Sequence, residues 1–255
     1  MVELFDIDWQ AILPFVAIGF LAQLVDGALG MAFGAIATTL LVGVIGTTPA
    51  LASLQVHAIK CFTTAASGAS HAFAGNIDKR LLIRVTVPGV IGGVIGAYGL
   101  AQIDGEALKP FVFTYLGVLG LLLMRKGLGR AARPGVARGT TPLGFVGGVL
   151  DAVGGGGWGP VVSSGLMLQG VEPRKVVGSI NSAEFFVAIA ISVAFIGHFG
   201  FAQFTQVTIG LLVGGVLAAP LGALAARLLP ARALLVVVGA VLSATTAYWF
   251  ARSMG

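Results

Sequence analysis

The sequence predicts an all-α polytopic membrane protein: two inverted-topology repeats, each a broken or re-entrant helical hairpin plus three transmembrane helices. Three observations predict it. Of 255 residues, 57% are hydrophobic and only 10% charged, against roughly 25% charged in a soluble domain. The apolar stretches approach the about 20 residues that one membrane span needs. They also contain many of the 39 glycines, as close helix packing in lipid favours. Finally, the chain repeats itself at a nearly constant offset.

Each half opens with two shorter apolar pieces, at 10–25 and 31–46 and again at 142–153 and 157–170. Three long helices follow in each: 50–74, 81–102 and 107–125, then 174–198, 204–228 and 231–251. A 16-residue arm covers about 24 Å, short of a roughly 30 Å hydrocarbon core. Full crossing and re-entry of the hairpin arms both stay open, giving six to ten membrane-embedded crossings.

Gly19, Phe20, Asp26, Gly30, Phe33 and Gly34 recur as Gly144, Phe145, Asp151, Gly155, Trp158 and Gly159, always 125 residues on. Pro49–Phe62 parallels Pro173–Phe186 at an offset of 124, and Gly92-Gly93-Val94 resembles Gly214-Gly215-Val216. Such register indicates duplication. The stretch Arg125–Arg138, with Gly127, Gly129, Pro134 and Gly135, reads as non-helical. The expected organisation is repeat one at 1–125, a cytoplasmic linker at 126–139 and repeat two at 140–255.

Twelve of the 15 Lys and Arg fall in four short segments: loop 75–84, the linker, Arg174-Lys175 and loop 227–232. Positive loops belong in the cytoplasm. That assignment alternates along the chain only if each opening hairpin returns to its own side. The halves are then inverted, and both termini are external. The acidic N-terminus (Glu3, Asp6, Asp8) agrees with this and lacks the basic start of a signal peptide.

Inverted repeats place a site near the midplane, where interrupted helices meet. Gly30, Met31, Ala32, Phe33 and Gly34 form one candidate break. Gly155, Gly156, Gly157, Trp158 and Gly159, with Pro160 fit for a first helical turn, form the other. Helices starting there would aim free amides and a positive dipole end at an anion; the alternative is that these glycines only let helices pack. Asp26 and Asp151 are equivalent intramembrane acids, suited to capping the following helix or to carrying a coupling proton. His57, Lys60, Cys61, Thr64 and His71 share a helical face. Counterparts of His57 and Lys60 are Asn181 and Glu184, so Lys60 either pairs with Glu184 or meets an anionic solute directly. His57 can donate to an oxyanion, shuttle a proton or simply pack. Cys61 is a reactive thiol or an inert one.

Other classes find no support. The net charge of +5 comes from loop charges, and no basic patch with interleaved aromatics suggests nucleic acid. A single cysteine excludes an internal disulfide and a multi-cysteine metal site. No metalloprotease, P-loop or Ser-His-acid pattern appears, so no enzyme, cofactor or metal is expected.

The duplicated Gly-Phe…Asp…Gly…Phe/Trp-Gly motif and its Pro-led following helix resemble the sulfite exporter TauE/SafE family over residues 10–250. The resemblance implies a bacterial inner-membrane permease for a small sulfur-containing anion, such as sulfite or a sulfonate like sulfoacetate. It further implies secondary transport coupled to protons. The expected partners are that anion and the lipid bilayer, with a second copy of the chain a candidate. A passive anion channel and a non-transporting membrane subunit are the alternatives.

Overall fold

The computed structural model describes residues 9–103, 105–129, 134–200 and 205–253. The acidic N-terminal residues Glu3, Asp6 and Asp8, and Arg130 and Arg133 of the linker, lie outside the described residues.

Every element among the described residues is helical. The first half contains α1 (Trp9–Leu29), α2 (Phe33–Gly43), α3 (Pro49–Phe73), α4 (Lys79–Ala101) and α5 (Gly105–Leu128). The second contains α6 (Thr140–Gly154), a π turn (Gly159–Ser163) running into α7 (Ser164–Leu168), and α8 (Pro173–Phe199). It closes with α9 (Gln206–Ala218), a 3-10 turn (Ala219–Leu221), α10 (Gly222–Leu228) and α11 (Ala231–Ser253). Local chemistry sets several starts. Asp78 accepts from the Arg80 and Leu81 amides at 2.9 and 3.1 Å to cap α4. Thr205 and Thr208 form a capping box on α9. Proline leads α3 and α8.

Five helices are long and apolar enough to cross a membrane: α1, α4, α5, α8 and α11. Three expectations change. The first hairpin arm runs to Leu29, 21 residues in all, or about 31 Å, so it can span by itself. Its counterpart α6 stays short at 15 residues. The stretch expected to be non-helical from Arg125 is helical at its start, because Arg125, Lys126 and Gly127 lie inside α5. Gly127 faces the Arg232 carbonyl and Val236 of α11, so it serves packing rather than a turn. The helix expected at 204–228 breaks at Ala219–Leu221, where Pro220 cannot continue the hydrogen-bond ladder.

Helices pair across the two halves: α1 with α9, α4 with α6, α5 with α11 and α3 with α8. Glycines bring three of these pairs into backbone contact. A Cβ on Gly148 would strike the Gly89 carbonyl, one on Gly214 the Val16 carbonyl, and one on Gly120 the Gly239 carbonyl. The central pair α3–α8 is held differently. Ser53, Gln55, His57, Lys60, Thr63, Thr64, Ser67 and His71 of α3 are all buried. Ser179, Asn181, Glu184 and Ser192 of α8 are buried too.

The basic segments gather at one end. Lys175 Nζ donates to the Gly75 carbonyl at 2.8 Å, and the Gly135 amide to the Gly170 carbonyl at 2.9 Å. Arg80 and Arg84 flank one cavity with Gly135 and Val136. Lys126, Glu172 and Arg232 line another.

Candidate functional site

Both glycine-rich junctions are broken, and they touch. Between α1 and α2 the chain turns at Gly30 (φ +66°) and Ala32 (φ 120°). After α6 it turns at Gly155, also at φ +66°. These are left-handed values that glycine adopts without penalty. The Gly30 amide donates to the Asp26 carbonyl at 2.6 Å, and the Gly155 amide to the Asp151 carbonyl at 2.7 Å. Contacts across the junctions are reciprocal: a Cβ on Gly34 would meet the Gly155 carbonyl, and one on Gly159 the Gly30 carbonyl. Gly156 abuts the Ala35 amide nitrogen. Gly157 packs under the Tyr115 hydroxyl. Ser163 donates to the Gly30 carbonyl at 3.0 Å, and Ser164 to the Met31 sulfur at 3.7 Å.

The two acids sit alike at these junctions. Asp26 Oδ1 accepts from the Phe33 amide at 3.2 Å, and Asp151 Oδ1 from the Trp158 amide at 3.1 Å. Each caps the helical start that follows, so those amides already hold a carboxylate. Trp158 is fully buried and donates through Nε1 to the Ile180 carbonyl at 3.2 Å.

Beyond the cap, the acids diverge. Asp151 receives Lys60 Nζ on Oδ1 and Oδ2 at 2.9 and 3.0 Å. Its Oδ2 also meets His57 Nε2 at 3.0 Å. Lys60 Nζ lies 2.6 Å from Glu184 Oε1, one of the two arrangements the offset left open. One ammonium therefore bridges two carboxylates, all three residues no more than 3% exposed. Asp26 makes no ion pair among the described residues.

Hydrogen-bond accounting places the protons. Ser53 Oγ spends its hydrogen on the Ala152 carbonyl at 2.6 Å. His57 Nδ1 faces the Ser53 carbonyl at 2.7 Å and that same hydroxyl at 3.2 Å, both now acceptors. Nδ1 must therefore carry hydrogen. A further proton lies between Nε2 and Asp151 Oδ2, which makes the His57–Asp151 pair neutral overall. Lys60 with Glu184 is neutral likewise. Glu184 Oε2 is buried with no partner among the described residues.

The remaining expected residues lie around this cluster. Asn181 donates to Ser67 Oγ at 3.1 Å, one turn of α8 from Glu184. Cys61 contacts Ser192 of α8 at 3.6 Å, away from the carboxylates. His71 ties α3 to the Gly27 carbonyl at 3.1 Å. Thr64 bonds the Lys60 carbonyl at 2.5 Å. Among the polar residues that were not anticipated, two stand out. Ser53, one turn before His57, orients its ring. Gln23, one turn before Asp26, is fully buried with neither amide atom partnered among the described residues. A polar residue one helical turn from a singled-out charge is the signal that finds both.

A cavity of about 530 Å³ runs from Arg125 and Lys126 of α5 to Pro160 and Ser164 beside the second junction. Its walls there are mainly apolar, with Leu119, Leu122 and Leu123 opposite Val161. The charge cluster lines none of the four described cavities.

A family model described as "Sulfite exporter TauE/SafE" matches residues 15–249. The chain is 39% identical over 223 residues to the "Probable membrane transporter protein YtnM" of Bacillus subtilis (strain 168). That alignment covers 84% of this chain and 74% of the relative. No solved structure matches.

Proposed function

The chain belongs to the sulfite exporter TauE/SafE family, and from that premise we propose a proton-coupled secondary transporter that exports a small sulfur-containing anion, such as sulfite or a sulfonate. It is a multi-pass membrane protein of a transporter family, not an enzyme. One observation carries the proposal: two interrupted helical junctions in mutual contact beside a buried lysine, inside a mainly apolar molecule. Intramembrane charges are costly and mark solute or proton pathways. Lys60 is the group that attracts the anion, and His57 orients Asp151. The cavity at Arg125, Lys126 and Ser164 is its approach from the basic end. Asp26 and Asp151 are caps on this reading.

Two inverted repeats with alternating access fit the same facts. The reciprocal Gly34–Gly155 and Gly159–Gly30 contacts support the duplication, as does helix pairing between opposite halves. The clustering of basic loops at one end supports a cytoplasmic face there and external termini, in a bacterial inner membrane.

Purified protein in liposomes tests the reading with sulfite, sulfate, thiosulfate and sulfoacetate. Wild-type protein should move at least one of them, and uphill movement under an imposed pH gradient separates it from a passive channel. Lys60→Ala should abolish the flux while the protein still reaches the membrane. Gly156→Ala, which pushes the junctions apart, should cut it by at least tenfold. Wild-type flux in both variants would refute this site.

A further inference from the structure

We propose that Glu184 carries a proton in the same direction as the anion, by giving up Lys60 to it. This rests on the transporter reading above and adds the sign of the coupling and the group responsible.

The argument begins with the protons already placed. Asp151 is fully committed: Oδ1 takes Lys60 and the Trp158 amide, and Oδ2 takes Lys60 and His57. Glu184 is half-committed, with Oε1 on Lys60 and Oε2 bare in a buried site. The charged groups that act on Glu184 are Lys60 from α3, Asp151 from α6 and Asp26 from α1. His57 reaches it only through Asp151. On its other flank α4 packs Gly89 and Gly93 against Val187 and Ile191 of α8.

His57–Asp151 and Lys60–Glu184 each balance, and Asp26 is a carboxylate with no ion pair among the described residues, so an arriving anion adds to negative charge already present in a low-dielectric interior. The ammonium of Lys60 is shared by two carboxylates. Burying an uncompensated charge is prohibitive. A proton added to Glu184 Oε2 removes the difficulty. Glu184 becomes a neutral acid, Lys60 turns the N–H that faced Oε1 to the anion while Asp151 keeps its other contacts, and the added proton cancels one unit of the anion's charge. On release the proton leaves Oε2 and Glu184 pairs with Lys60 again. Anion and proton are therefore taken up together and released together. Exchange of an anion for a proton would require the anion to bind beside ionised Glu184. A divalent anion leaving with a single proton still carries negative charge outward. The inside-negative potential then favours export, while the pH gradient opposes it.

The test uses proteoliposomes with a trapped pH dye, a potassium–valinomycin clamp on the potential, and external thiosulfate or sulfoacetate. Sulfite is left out because it carries protons through lipid itself. Wild-type protein should acidify the lumen as labelled anion enters, and empty liposomes should not. Glu184→Gln should lose the acidification and the pH dependence of uptake, with anion entry slowed. Asp26→Asn and Glu184→Asp should keep the proton signal. Lumen alkalinisation on anion entry, anion entry without any pH change, or a Glu184→Gln protein that still acidifies would overturn the proposal. So would a well-folded Glu184→Gln protein that moves no anion. If Glu184→Gln does not fold, the wild-type sign still decides the direction of coupling, and an unshifted pH dependence of uptake in Glu184→Asp would rule out Glu184 as the carrier. If wild-type protein moves no anion of the panel, the transporter reading itself fails; a wrong sign defeats only the coupling.

Discussion

Asp26 and Asp151 occupy the same place in the duplicated motif and cap the same kind of turn, yet their energetics differ. Asp26→Asn keeps an oxygen for the Phe33 amide, so its cost should stay under about 1 kcal/mol. Asp151→Asn removes the charge facing both Lys60 and His57. Breaking such a buried pair costs about 3–5 kcal/mol. Thermal unfolding of the detergent-purified variants checks the contrast; equal shifts would contradict it. Ala32 offers a second test. Its φ of 120° is a glycine conformation, and the corresponding residue of the second half is Gly157. Strain there costs about 1–3 kcal/mol, against a smaller entropic penalty for glycine. Ala32→Gly should raise the unfolding temperature, and no rise would show that the turn is unstrained.

Helix to helix, the controlling quantity is how closely two backbones approach. Gly148 of α6 lies against the Gly89 carbonyl of α4, so Gly148→Val must separate the pair. Overpacking of this kind costs about 1–3 kcal/mol. Gly99, also in α4, has open space around its Cβ position. Gly99→Ala should therefore stabilise by up to about 1 kcal/mol through helix propensity alone. Size-exclusion profiles and unfolding temperatures of the two proteins should move in opposite directions. Most elements were legible as apolar runs bounded by Gly, Pro and charge, because those signals are local. The end of α5 was not, since Gly127 reads as a breaker until α11 is seen against it. Likewise α3 is 25 residues long but too polar to stand among the five apolar spans. Its polar face meets α8 and α6 rather than lipid, and hydropathy cannot see that.

For the molecule as a whole, the testable quantity is orientation. The basic segments share one end, and the proposed inversion of the halves would place both chain ends opposite it. Single cysteines introduced near each terminus of a Cys61→Ser background should react with an impermeant maleimide added outside intact cells. Cysteines in the loop after Gly75 should react only after lysis. Termini labelled from opposite sides would remove the inversion and, with it, alternating access between two copies.

From the sequence alone came the membrane class, most of the helix order, the places of the two glycine-rich junctions and, as one of two readings, the Lys60–Glu184 pairing. Each follows from composition, from the backbone chemistry of Gly and Pro, or from an offset that can be counted. Tertiary structure decided which of two equivalent acids would be charged against a lysine. His57 and Lys60 come from one half only, and Asn181 and Glu184 stand in their place in the other. The pairing of α3 across to α6 and α8 thus brings cations to Asp151, while Asp26 makes no ion pair among the described residues. A local motif cannot encode that difference, because the partner of a buried charge is chosen by packing between distant parts of the chain.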